Sequence, residues 1–284
     1  SLRIGEVTSA LVGGVNLCLV KETFAAEARM NMLSSDGRCR SFDDSANGFV
    51  RGEGCGVVFV TAKALRERCV ISGAAVNHNG QSNGLSAPNG TAQANCVAKA
   101  WTEAKFERDE IQMLECFAVG SRVGDAVEVN ALQKLLAGRN GSILMGSSKA
   151  NFGHCESASG MASIAKMILS FDREVSFSQP CFSVLNTLIG DLNMMRAVVP
   201  LENVSASEIS VMGTSAFGFS GVNAHVVLKR AERRSGNAED EDLIFDLSAK
   251  SEASLVQLCE SCLKWLVEGE MSTHEVGQFL KERR

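Results

Sequence analysis

Histidine is scarce: four occur in 284 residues. Any search for acid–base or metal chemistry is therefore short. Positive charge is not in excess either. The 28 lysines and arginines face 33 aspartates and glutamates, a net charge of −5, and the signs are interspersed along most of the chain. No basic stripe is present for nucleic acid to bind, which sets that class of partner aside. No apolar run approaches the eighteen or so residues that cross a bilayer, so no membrane association and a soluble, cytoplasmic protein are expected. A signal-peptide pattern and an initiating methionine are both lacking at Ser1, and SLRIGEV reads as chain already in progress, so a fragment is expected. Ten cysteines do occur, but they are scattered through apolar segments of a long chain. Reduced, mostly buried thiols fit better than a disulfide framework. The close pair Cys259 and Cys262 falls inside an amphipathic helical pattern without partner ligands, so packing rather than metal is expected, and no metal site is assigned.

What is present is a globular composition, 45% hydrophobic, over a length sufficient for a large core. Short apolar runs bounded by glycine recur: SALVGGVNLCLV, CGVVFVTA, CVISGAAV, SILMGSS, EISVMG and AHVVLKRA. Helical patterns lie between several of them, including TAQANCVAKAWTEAKF, DAVEVNALQKLLA and ESASGMASIAKMILSF. Runs apolar on both faces, alternating with helices, imply a layered α/β fold with a buried sheet. The D-x-x-E spacing of Asp125 and Glu128 predicts a helix starting at Asp125 and running to Gly138. After Leu228 a charge-rich stretch reads as a connector. It is followed by a strand-like IFDLSAK and a helix capped by Ser251, with Leu255, Leu258, Cys259, Cys262 and Leu266 on one face.

Five stretches attract chemical attention. In KANFGHCESASG, Lys149, Asn151 and His154 precede a small-residue helix. The positive end of a helix dipole favours a neutral imidazole with an N–H free to meet an oxyanion, although on this pattern alone a structural histidine satisfied by backbone is the commoner case. GTSAFGFSGVNAHVVL, residues 213–228, suits a tight β corner or a loop whose amides face a ligand, and it lacks P-loop or dinucleotide spacing. In FVRGEGCGVVFV, Cys55 is expected to be an inert buried thiol beside a paired Arg51 and Glu53. VNHNGQSNGLSAPNGTAQ reads as consecutive surface turns with His78 exposed. ECFAVGSRVGDAVEVNAL, from 115 to 132, places a glycine loop at a strand-to-helix junction, yet Ser121 and Arg122 are its only polar side chains between Phe117 and Val123.

Taken together, FDDSANGFVRGEGCGVV, AVNHNGQSNGLSAPNGTAQ, GSSKANFGHCESASG and SAFGFSGVNAHVVL resemble, in order and spacing, the signatures of the ketosynthase domain of type I modular polyketide synthases. More broadly they resemble the β-ketoacyl-acyl carrier protein synthases. IFDLSAKSEASL is similar to the start of the linker between a ketosynthase and an acyltransferase. The resemblance implies a thiolase-like five-layered α/β/α/β/α fold, incomplete here at the N-terminus. Residues 1–70 would be the remainder of the first half, 71–230 the second half, and 231–284 the linker and the start of its subdomain. It also implies a homodimer when complete, with acyl carrier protein as partner and acyltransferase and other synthase domains in cis. No cofactor would be bound tightly; the phosphopantetheine arm would carry the substrate.

In that family a cysteine receives the acyl chain as a thioester. Two histidines assist decarboxylation of a malonyl unit, and the resulting enolate attacks the thioester. By resemblance His154 is the histidine of the KTNIGH motif, with Lys149 supporting it. Gly218, Phe219 and Ser220 form the oxyanion and gating loop, the Phe219 amide completing the oxyanion hole. Two departures follow. The ACSSS nucleophile motif lies before Ser1, and no other cysteine matches it. ECFAVGSRVGDAVEV aligns with EAHGTGTPLGDPIEV, which puts Phe117 at the first catalytic histidine, Val119 and Ser121 at the two threonines that hold the phosphopantetheine arm, and Arg122 at the proline. One lost oxyanion donor costs about 2.7–4 kcal/mol of barrier. Impaired condensation is therefore expected, the alternative being a non-elongating scaffold or chain-transfer domain. A thiolase-type enzyme acting on coenzyme A esters ranks third, because the FGFSG loop and the linker tail argue against it.

Overall fold

The computed structural model describes residues 2–62, 67–81, 84, 87–231, 247, 249, 251–268, 270 and 275–276. The chain divides into two compact units, Ser1–Ala231 and Glu232–Arg284. In chain order the first unit contains β1 (Ser9–Asn16), α1 (Lys21–Arg29), β2 (Gly54–Thr61), β3 (Cys69–His78), α2 (Gly90–Ala104), β4 (Met113–Glu115), α3 (Arg122–Leu136) and β5 (Ile143–Gly146). There follow α4 (Lys149–Phe152), α5 (Ser159–Arg173), β6 (Val175–Ser176), β7 (Ala197–Val198), β8 (Val204–Ser205), β9 (Val211–Phe217) and β10 (Val222–Arg230). The second unit carries α6 (Glu252–Val267).

The central sheet has six strands in the order β3-β10-β9-β4-β5-β7. Strands β9, β4, β5 and β7 run parallel, and β10 is antiparallel to both β9 and β3. Successive side chains on a strand point to opposite faces, and both faces of this sheet are apolar. Leu114, Ile143, Val211 and Val227 enter one core with Val97, Trp101, Val129 and Leu132 of α2 and α3. Their chain neighbours Met113, Met212 and Leu228 enter the opposite core with Met167 and Phe171 of α5. That double burial explains why these strands read as unbroken apolar runs.

The other side of α5 meets a two-stranded antiparallel sheet, β1 with β2. Glycines permit the approach: a Cβ on Gly14 would lie 2.6 Å from the Ser157 carbonyl oxygen, and one on Gly56 would lie 2.7 Å from Met161 Cβ. The described layers therefore run α2 and α3, six-stranded sheet, α5, two-stranded sheet. The opposite face of β1 and β2 presents Leu11, Val15, Val57 and Phe59 to solvent.

Four local expectations are corrected. Helix α3 begins at Arg122, three residues early, because Ser121 is its N-cap, accepting the Gly124 amide at 3.2 Å; Asp125 is drawn inward instead. Arg51 pairs with Glu156 and Glu27, not with Glu53, which accepts the Cys18 amide. Cys55 is exposed, because its strand position places it on the outward face of β2. Cys259 is exposed while Cys262 is buried, so the apolar stripe of α6 is narrower than its spacing suggested. Ser251 caps α6 as expected, accepting the Ser254 amide. Most of the strand expected at IFDLSAK and most of the charged connector lie outside the described residues.

Candidate active site

Three neighbouring parallel strands, β9, β4 and β5, release their C-terminal ends at one edge of the sheet. Open parallel sheets bind ligands at that edge. Strand β4 leads into Phe117, β5 into Ser147, Ser148 and Lys149, and β9 ends on Phe217 before Gly218, Phe219 and Ser220. The topology thus brings three of the singled-out stretches to one place. His154 joins them through its backbone: its amide donates to the Val50 carbonyl at 2.7 Å, and its carbonyl accepts the Gly52 amide at 2.9 Å.

The loop after β4 is held by two carboxylates from the first turns of α3. Glu128 receives the Phe117 and Ala118 amides, each at 2.8 Å. Asp125 receives the Phe42, Gly120 and Ser121 amides at 3.0, 3.2 and 3.2 Å. Both carboxylates are buried, and burial raises both pKa values, that of Asp125 to about 7. Gly120 adopts φ +88°, and a Cβ there would stand 2.8 Å from the Arg40 amide nitrogen, so the turn admits only glycine. Val119 is buried against Cys39 and Phe49, and the Ser121 hydroxyl serves as the α3 cap. Arg122 reaches outward to Asp44 and Thr187.

Lys149 is buried beneath this loop, with its ammonium 5.0 Å from the Phe117 ring centre. Burial lowers its pKa, and Glu115 and Glu128 oppose the shift. Glu115 accepts the Ser148 amide and pairs with Lys166 at 3.0 Å. A carboxylate therefore fixes the turn that aims the lysine.

The state of His154 follows from its partners. Its Nδ1 lies 3.2 Å from the Glu156 amide, which can only donate, and 2.7 Å from the Ser159 hydroxyl. The lone pair is therefore on Nδ1 and the proton on Nε2. The rings of Phe49 and Phe117 stand edge-on to the imidazole at 5.2 and 5.5 Å. Burial first, and then the Lys149 charge, push its pKa down to about 3. It is a neutral N–H donor, as the sequence suggested, but burial accounts for this more than a helix dipole: a short 3-10 turn at Glu156–Ala158 separates it from α5.

Phe217 also contacts Phe117, with ring centres 5.5 Å apart. Beyond it the loop turns on two hydrogen bonds, Gly218 amide to Val222 carbonyl at 2.6 Å and Gly221 amide to Gly218 carbonyl at 2.9 Å. The Phe219 amide makes no hydrogen bond among the described residues and its side chain is exposed. Sequence reasoning missed Phe49, Phe217 and Ser159 as site components, because nothing local distinguishes them. Cys55 is not part of the site. Among the described residues no group of three or more His, Cys, Asp or Glu could hold a metal, and no helix is long and apolar enough to cross a membrane.

Comparison with known proteins accounts for this arrangement. The N-terminal domain of beta-ketoacyl synthase matches residues 1–65, its C-terminal domain residues 68–180, and the ketoacyl-synthetase C-terminal extension residues 186–281. Polyketide synthase ThaG of Burkholderia thailandensis is 35% identical over 94% of the chain, which spans 5% of that protein. Polyketide synthase PksL of Bacillus subtilis is 32% identical over 100% of the chain and 7% of its own length. The ketosynthase from module 6 of the Bacillus subtilis bacillaene synthase superposes with a TM-score of 0.80 at 28% identity, covering 96% of this chain and 50% of that one. The OzmH KS7 oxazolomycin ketosynthase domain of Streptomyces albus gives 0.81 at 28%, covering 97% and 51%. The chain spans about half the length of solved ketosynthases and under a tenth of these curated relatives. The layered α/β fold is shared with these ketosynthases, and the chain belongs to the beta-ketoacyl synthase family.

Proposed function

We propose that this chain is a segment of a polyketide synthase ketosynthase whose family reaction, decarboxylative Claisen condensation of an acyl thioester with malonyl-acyl carrier protein, is impaired in this copy. The observation that carries the reading is the Phe117 ring, edge-on to His154 at 5.5 Å, in a loop whose Glu128 and Asp125 supports are intact. Malonyl decarboxylation needs donors aimed at the enolate oxygen as its charge develops. His154 supplies one through Nε2–H, whereas Phe117 supplies an apolar edge.

With the family's nucleophilic cysteine supplied by a complete upstream half, what remains suits thioester exchange. That cysteine gives up its proton and attacks the acyl carbonyl as a thiolate, the Phe219 amide stabilises the oxyanion, and the pantetheine thiolate leaves and takes up the proton, all without a malonyl carboxylate. This favours the non-elongating, chain-transfer reading. Acyl carrier protein with its phosphopantetheine arm, further synthase domains in cis including an acyltransferase after 231–284, a homodimer of the complete ketosynthase and a cytoplasmic setting belong to the same proposal.

The test joins this segment to a complete upstream ketosynthase half and supplies malonyl-acyl carrier protein to the native sequence and to Phe117→His. The histidine variant is expected to decarboxylate faster by about two to three decades. Equal rates would remove the inactive reading.

A further inference from the structure

The stretch that read as bland surface turns touches the gating loop. His78, the last residue of β3, is paired in register with Val222 of β10, just past that loop. Its Nδ1 accepts the Gly80 amide at 3.0 Å. An amide can only donate, so the ring proton sits on Nε2, which donates to the Ser220 carbonyl at 2.9 Å. One residue on, the Asn79 amide donates to the Gly221 carbonyl at 2.8 Å. Asn79 is itself held from inside the fold, its Oδ1 accepting from the buried Asn223 at 2.8 Å. The imidazole fits closely against Gly221, where φ is +94° and a Cβ would lie 3.2 Å from Nε2. Two consecutive carbonyls of the turn are thus secured, while the Phe219 amide makes no hydrogen bond among the described residues and its ring is exposed.

We propose that His78 is a positioning residue, a latch whose Nε2–H holds the Ser220 carbonyl and so sets how the Phe219 loop opens over the acyl site. This role rests on the ketosynthase reading of that loop. The latch itself, being backbone geometry, can be measured separately. His78→Ala removes ring and donor, His78→Phe keeps a ring without the donor, and His78→Gln restores an amide that can both accept and donate.

Amide hydrogen exchange on the 284-residue chain and these three variants is the first measurement. The Gly221 amide should exchange roughly five- to tenfold faster in His78→Ala and His78→Phe, the factor set by one hydrogen bond of ordinary net strength, and return to within about twofold in His78→Gln. The amides of β10 should be unchanged. Equal exchange at Gly221 in all four proteins, or a His78→Phe that behaves like the parent, overturns the latch.

The second measurement follows the Phe219 amide resonance during titration with hexanoyl-pantetheine carrying an amide in place of the thioester. In the two donor-less variants the probe's association and dissociation rates should rise together with Kd held within about twofold, the signature of a gate rather than a damaged pocket. Weaker Kd at an unchanged association rate overturns the positioning role. A parent chain whose Phe219 amide ignores the probe overturns the functional assignment of the loop, whatever the exchange rates show.

Discussion

At the scale of residues, a half-buried histidine and a fully buried one are held in opposite tautomers by their neighbours. His154 carries its proton on Nε2 because Glu156 and Ser159 occupy Nδ1. His225 is 1% exposed, and its Nε2 accepts the Trp101 indole N–H at 3.3 Å, so its proton lies on Nδ1 and is donated to the Ser215 hydroxyl at 2.9 Å. Long-range 15N–1H spectra at neutral pH should show His225 as the Nδ1–H tautomer and His154 as the Nε2–H tautomer, each assigned by replacing that histidine. A proton on His154 Nδ1 would take away the donor that the site depends on. His154 was legible as a candidate because its motif is local. Phe49 and Phe217 were not, since their proximity to Phe117 and His154 is created by strand pairing and by the bridge between residues 50–52 and 154. The partner of Arg51 was missed for the same reason: Glu156 lies 105 residues away.

At the scale of elements, the first two turns of α3 act as a clasp on the loop that precedes them. Glu128 alone satisfies two backbone amides. Glu128→Ala would leave both unpaired in a buried setting, and a loss of about 2–4 kcal/mol in denaturant-derived stability is expected. Strand β9 has its own narrow tolerance, because a Cβ on Gly213 would stand 2.7 Å from His225 Nε2 and 3.0 Å from Leu114 Cδ2. Gly213→Ala should therefore cost about 1–3 kcal/mol by overpacking, read from the same transition. Helices α2 and α5 were visible from periodicity, since each buries a simple apolar stripe. The start of α3 was misplaced by three residues because Asp125, which resembles a local cap, is recruited by Phe42 from a distant part of the chain. Capping rules see only near neighbours, and here a remote amide competed successfully.

For the whole molecule, buried titratable groups set an acid limit. His154 and His225 have pKa values of about 3 in the folded protein against 6.5 when unperturbed. Each therefore gives stability that is complete above pH 6.5 and is lost as pH falls toward 3, about 2 kcal/mol of it gone at pH 5. Asp125 has the opposite sign. Raised from 3.8 to about 7, it gives stability that is full below pH 3.8 and lost as pH rises through 7. Two histidines oppose Asp125 and, in the same direction, Glu128 between pH 7 and 5, so unfolding free energy should decline only slightly over that range. Asp125→Asn should make the decline steeper; a flat profile in both proteins would contradict the buried neutral imidazoles.

The backbone anchoring of His154 between Val50 and Gly52 also bears on how the chain acquires its site. Contacts of such sequence separation form after local helices and hairpins, because their loop-closure entropy must be met first. The segment carrying residues 50–52 leads into β2, which packs against α5, while His154 sits just ahead of α5. The donor nitrogen is thus oriented only once those two layers have docked. In a refolding experiment protection of the His154 amide, which donates to the Val50 carbonyl, would be a clock for the last consolidation step, and a chain halted before that step would have most of its helices and none of its chemistry.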